Sequence, residues 1–305
     1  MSNLFHKFYV SFYSKTGGYV PARPLSQPIY PGDFFQIKNG EIIVLGNIYF
    51  GNMIKPEDIN LVHDEHSQAP VWKMEEGVRR LYSGRSSAPG LGGEEFEFSK
   101  QVLGFAGYGS FLFSSANRKL VRIANWSELQ DQLIIKLTQI YYSFREVFVV
   151  TESASTSHWS LAVGGTHDAE LEIATATENF GLVDIFDHVD VRTIQSKNVE
   201  YYHLQKERMP TFFKAKKLVV QDEKVRTFIN ELIINRRKHQ EWALNFFDQF
   251  AAAPPYINPL SNHPECSLLD TLRANELNPN TALLYFKWAD MNLDDIALLF
   301  PKYGN

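Results

Sequence analysis

One cysteine, Cys266, is all that 305 residues contain. That excludes an intramolecular disulfide and suits a reducing compartment. No apolar run approaches the ~18 residues that mark a membrane-spanning helix. The first residues are interrupted by His6, Lys7 and Ser11 before the apolar centre of a signal peptide could form. The expectation is a soluble, cytoplasmic chain. Positive charge is not in excess either: 30 Lys and Arg against 35 Asp and Glu leave a net charge of −5. Nucleic acid is therefore excluded as an expected partner, and simple attraction to anionic lipid loses its driving force. Catalytic signatures are lacking as well. There is no Gly-x-Ser-x-Gly elbow and no His-Glu-x-x-His, and His263 with Cys266 is too weak a pair to use. No enzyme activity, cofactor or metal is expected.

What the chain does have is aromatic residues, with 23 Phe, 14 Tyr and 5 Trp, as suits a β-rich core. Its organising stretch runs from Trp126 to Thr177. Trp126, Leu129, Leu133, Ile134, Leu137, Ile140, Tyr141 and Phe144 recur at three- and four-residue steps, the stripe of a helix lying on a core, with Asn125 as its N-cap. Residues 147–151 (Val-Phe-Val-Val-Thr) read as a buried strand. Trp159, Leu161 and Val163 then alternate with Ser160, Ala162 and Gly164. After a Gly164-Gly165 turn, Leu171, Ile173, Thr175 and Thr177 alternate with Glu170, Glu172, Ala174 and Ala176, so 157–177 reads as a two-faced hairpin.

Upstream, Leu4, Phe5, Phe8, Tyr9 and Phe12 fit a helix, while Phe8, Val10 and Phe12 also fit a strand. Pro31-Gly32-Asp33 opens a hairpin whose strands flank Asn39-Gly40, the pair favoured in a type I′ turn. Residues 52–95 read as a long polar stretch. His63 and His66 inside it are a weak metal pair, since Pro56 and Pro70 favour a loop, and the glycine- and serine-rich 83–93 reads as a flexible linker with no phosphate-loop pattern. A second ribbon follows, with Phe105, Phe111 and Phe113 on one face and Gly107 and Gly109 between them. Past Phe180, Asp184, Asp187, His188 and Asp190 read as a solvated turn. Strands follow at 189–193, 199–204, 211–213 and 217–220. From Gln221 the period becomes helical. Val225, Phe228, Ile229 and Leu232 form a stripe, and shorter helices are expected at 268–275, 279–289 and 293–300, the last capped by Asn292. The division is a β-rich domain at 1–220 and a helical module at 221–305.

The fold class is α+β: a twisted, mostly antiparallel sheet with a packed amphipathic helix, followed by a small all-α module. This order of elements, with Pro31-Gly32-Asp33 and Leu45-Gly46-Asn47 in the first hairpin and 125–152 as the helix-to-strand unit between ribbons, resembles the gasdermin family. Its bacterial and fungal pore formers are the most similar, over roughly residues 8–220. Where bacterial members often carry a cysteine for acylation, this chain has Ser2, Asn3, Leu4 and Phe5. The resemblance implies a cell-death or antiviral-defence effector that is cytoplasmic when inactive. On proteolytic removal of the C-terminal region it would assemble with copies of itself in the lipid of an inner or plasma membrane. Its partners would be an activating protease, membrane lipid and further copies of the chain. The membrane-inserting residues would be Phe105, Phe111, Phe113, Trp159, Leu161, Val163, Leu171 and Ile173, and the inhibitory face Val225, Phe228, Ile229 and Leu232. Other readings of the residues are a soluble immunity or adaptor protein with a helical assembly tail, a DNA-binding helix-turn-helix at 281–300, which Asp290, Asp294 and Asp295 disfavour, and a hydrolase using His63, His66 or Asp187.

Overall fold

The computed structural model of the chain describes residues 3–51, 53–64, 71–89, 95–138, 147–175, 192–221, 282–284 and 286–301. Val225, Phe228, Ile229 and Leu232, His66, Cys266 and the acidic turn at 184–190 lie outside these residues. Mostly antiparallel strands and few helices make up the described residues. The ambiguous first segment is helix α1 (His6–Thr16), with Phe8, Tyr9 and Phe12 buried and Gly17 in left-handed geometry ending it. An eight-stranded sheet follows the order β1 (Val20–Pro21), β15 (Met209–Val220), β10 (Phe148–Thr156), β2 (Asp33–Lys38), β3 (Glu41–Asn47), with β16 (Phe286–Asp290) on β15 and β9 (Lys119–Ile123) joining β10 to β4 (Leu61–Asp64). The β2–β3 hairpin closes on Lys38↔Glu41, with Asn39 and Gly40 both at positive φ, as the Asn-Gly pair requires. Alternation decides the layers of this sheet. Phe35, Phe148, Val150, Phe212 and Phe213 point to a core shared with α1, where Phe12 stacks on Phe212 at 5.0 Å and Phe35 on Phe148 at 5.1 Å. Phe34 and Val149 point the other way, under Leu129, Leu133 and Leu137 of α2 (Trp126–Thr138). Asn125 precedes α2, but its amide is spent on the neighbouring loop, accepting from Asn60 N and donating to Asp58 O.

Three expectations are corrected here. The 83–93 linker is in its first half the end of a strand, β6 (Val78–Pro89), antiparallel to β7 (Glu95–Phe105). Of the helix expected at 279–289, the described residues 282–284 are helical, whereas Phe286–Asp290 is a strand, because the edge of β15 offers it a ladder from Lys216 to Val220. The hairpin expected at 157–177 is not one either. β11 (His158–Gly164) and β12 (Ala169–Thr175) lie in different sheets. The helix α3 (Leu293–Ala297) does form. Asn292 accepts from Asp294 N and Asp295 N while Asp295 accepts from Asn292 N, a reciprocal cap.

Candidate functional site

The two remaining sheets each have four strands and the same order. One runs β14 (Val199–Gln205), β11, β8 (Phe111–Ala116), β5 (Trp72–Glu76); the other runs β13 (Arg192–Lys197), β12, β7, β6. Each strand of the first continues directly into its counterpart in the second. The breaks are Gly77, residues 106–110, residues 165–168 and Asn198. Four chain runs therefore bend at one line, and backbone hydrogen bonds lace that line from side to side. Ala106 N donates to Gly77 O (2.7 Å), Gly109 N to Gly164 O (2.9 Å), Gly164 N to Ser110 O (2.9 Å) and Gly165 N to Asn198 O (3.0 Å). His167 Nδ1 adds a bond to Ala106 O at 2.6 Å. The bend needs glycine, as Gly77 and Gly164 show. Gly77 sits at φ +65°, where L-residues are strained, and a Cβ there would lie 2.5 Å from Ser110 Oγ. A Cβ on Gly164 would lie 2.7 Å from Phe105 Cβ, so the second sheet closes directly over the first.

Past the bend, the β13–β12–β7–β6 sheet is two-faced. Leu103, Phe105, Leu171 and Ile173 are buried and share a cluster with Leu112 and Ala162 of the neighbouring sheet. The opposite face carries charge. Glu170 lies in register with Lys197 and, through Gly104, with Arg79, and Lys100 pairs with Glu172 at 2.7 Å. The inter-sheet layer is not wholly apolar. Gln101 is 1% exposed, and its amide nitrogen and oxygen find no hydrogen-bond partner among the described residues.

The eight residues expected to insert together fall in two sets. Phe105, Leu171 and Ile173 lie between the two four-stranded sheets. Phe111, Phe113, Trp159, Leu161 and Val163 lie on the far face of the β14–β11–β8–β5 sheet, in the large core around α1. Phe105 therefore does not share a face with Phe111 and Phe113. Ala162 is 0% exposed, beneath the folded-back sheet. Sequence reasoning missed β5, β6 and Gly77, although the alternation of Trp72 and Met74 with exposed Lys73 and Glu75 carries the strand signal. His63 lies on β4. Among the described residues no group of three His, Cys, Asp or Glu side chains is placed to hold a metal ion, and no helix is long and apolar enough to cross a membrane.

Two solved gasdermin structures are similar to the chain. The Gasdermin A3 membrane pore overlaps the chain with a TM-score of 0.30 at 10% identity, over 72% of this chain and 90% of that one. A bacterial gasdermin from Bradyrhizobium tropiciagri overlaps it with a TM-score of 0.24 at 10% identity, over 66% of this chain and 81% of that one. No family model and no curated protein matches the sequence. At these TM-scores the functional reading rests on the chain's own strands and bends.

Proposed function

We propose that the chain is a membrane pore former and that the β13–β12–β7–β6 sheet is its membrane ribbon, stored folded back in the resting state. The observation that carries this is the row of four aligned bends. Straightening at Gly77, 106–110, 165–168 and Asn198 lengthens all four runs at once without changing which strands are neighbours. A strand crossing a bilayer needs ~9–11 residues and one apolar face. β6 and β7 have 12 and 11, and the apolar face is the one now covered by Leu112 and Ala162. In lipid that face meets acyl chains, while Glu170, Glu172, Lys100 and Arg79 line water. Sheet edges cannot be left open in a bilayer, so the edges at β6 and β13 call for further copies of the chain. On this reading the protein is a cell-death or defence effector, cytoplasmic at rest and in a membrane when active. A protease acting on the C-terminal region would release it.

The test is site-by-site fluorescence. With Cys266→Ser as background, single cysteines at 170, 171, 172 and 173 are labelled with an environment-sensitive dye. The protein is then cleaved with a protease in the presence of liposomes loaded with a second dye. Dye release is expected once the cleaved C-terminal fragment separates, with labels at 171 and 173 quenched by lipid-borne nitroxide and those at 170 and 172 by aqueous iodide. Release without this alternation would remove the sheet from the pore. No release after the C-terminal fragment has separated would remove the pore.

A further inference from the structure

A cavity of about 520 Å³ opens between α1, the β2–β3 turn, β14 and Pro301. That volume suits a small organic ligand. Phe5, Leu25 and Pro301 supply apolar wall. Two of its polar groups, Arg23 and Tyr201, have no hydrogen-bond partner among the described residues. Arg23 is half-buried, and among the described residues its guanidinium forms no hydrogen bond or ion pair; it lies over the Phe300 ring, 4.5 Å from the centroid. The Tyr201 hydroxyl likewise has no hydrogen bond among the described residues, while its ring packs edge-on to Phe5 at 4.9 Å. Burial pushes the Tyr201 pKa up, so it stays an O–H donor. Both groups are near enough to Tyr9 to act on its charge, Arg23 lowering and Tyr201 raising its pKa against a larger upward push from burial, while Tyr9 itself is satisfied by Ala22 O at 2.7 Å. A half-buried guanidinium and a half-buried hydroxyl that line one cavity with no hydrogen-bond partner among the described residues can both donate to an acceptor placed there.

We infer that this cavity binds an organic monoanion, a carboxylate on an apolar body. The carboxylate accepts from Arg23 and Tyr201, and the body lies along Phe5, Leu25 and Pro301. Glu41 also lines the cavity, and its charge opposes a second negative group on the ligand, which disfavours polyanions. The site is independent of the pore reading and is read by binding alone. Calorimetry with decanoate measures the soluble source, and co-sedimentation with phosphatidylcholine vesicles with and without oleic acid measures the bilayer source. Decanoate should saturate one site while decan-1-ol binds at least tenfold more weakly. Arg23→Met should weaken decanoate at least tenfold, and Tyr201→Phe, which keeps the edge contact with Phe5, severalfold. Co-sedimentation that needs both oleic acid and Arg23, without saturable decanoate binding, would assign the same site to a carboxylate presented by a bilayer. Absence of both, or equal binding by wild type and a folded Tyr201→Phe together with Arg23→Met, would overturn the site.

Discussion

Asp33 ties together the two short motifs of the first hairpin. Its carboxylate accepts from Tyr30 N at 2.7 Å and from Asn47 Nδ2 at 2.8 Å, and it is 8% exposed. Burial raises its pKa above the usual carboxylate range, and the two donors only partly oppose that. Because the folded-state pKa is the higher one, the folded protein takes up this proton before the unfolded chain does as the pH falls. The Asp33 contribution to stability therefore grows below neutral pH as the raised pKa is crossed, and levels off below the unfolded value. Asp33→Asn removes the titrating group and keeps only one of the two acceptor oxygens. It should lack the gain on acidification, so its melting temperature falls relative to wild type as the pH is lowered from neutral. A melting temperature that rises relative to wild type on acidification in a thermal-denaturation series would contradict the assignment.

A single methyl group tests the bend. In Gly77→Ala the left-handed backbone costs about 1–2 kcal/mol, and Ser110 Oγ must also move. Hydrogen exchange at 78–82 and 101–105 should speed up while the β2–β3 hairpin stays protected, and liposome leakage should come earlier. Uniformly faster exchange would mean general destabilisation instead. The bend is also where the sequence is least legible. The β2–β3 hairpin is local, so period-two alternation and Asn39-Gly40 specify it, and the 3.6-residue period of Trp126, Leu129, Leu133 and Leu137 specifies α2. By contrast, His158–Gly164 and Ala169–Thr175 alternate in the same way whether they pair with each other or with β8 and β7. Which partner wins is decided by residues 42 to 76 positions away. Val78–Pro89 has little apolar alternation and becomes a strand because β7 supplies its ladder. Phe286–Asp290 is decided in the same way by β15, against a helical local reading. Leu171 and Ile173 are recognisable as one apolar face; that Phe105 joins them rather than Phe111 and Phe113, and that Leu161 belongs to a different core, is not.

At the scale of the molecule, the end of the described chain is built into the body of the first sheet. Lys216 pairs with Asp290 at 2.6 Å, and Lys217 pairs with Asp295, itself 3% exposed, at 2.6 Å. Trp288 Nε1 donates to Gln130 O at 2.9 Å and its ring meets Trp126 at 5.3 Å. Tyr13 donates to Met291 O at 2.9 Å. Met291, Ile296, Leu299 and Phe300 all lie in the core around α1. These are core contacts plus a five-residue ladder, so a cut in the backbone between 222 and 281 should not by itself free residues 286–301. With a specific protease site inserted after Phe250, the two fragments are expected to co-elute in native buffer and to separate only in concentrated guanidinium. Phe300→Ala removes the ring that meets His6, Tyr9 and Arg23, at a cost of about 3–5 kcal/mol. In the cut protein it should convert co-elution into separation, whereas in the uncut protein the tether keeps the segment in place. Liposome leakage should follow separation rather than cleavage, appearing in the cut Phe300→Ala protein well before the cut wild type. Fragments that part on cutting alone would show that the docked strand and helix are held only by the chain between them, and removal of the C-terminal region would then need nothing beyond the protease.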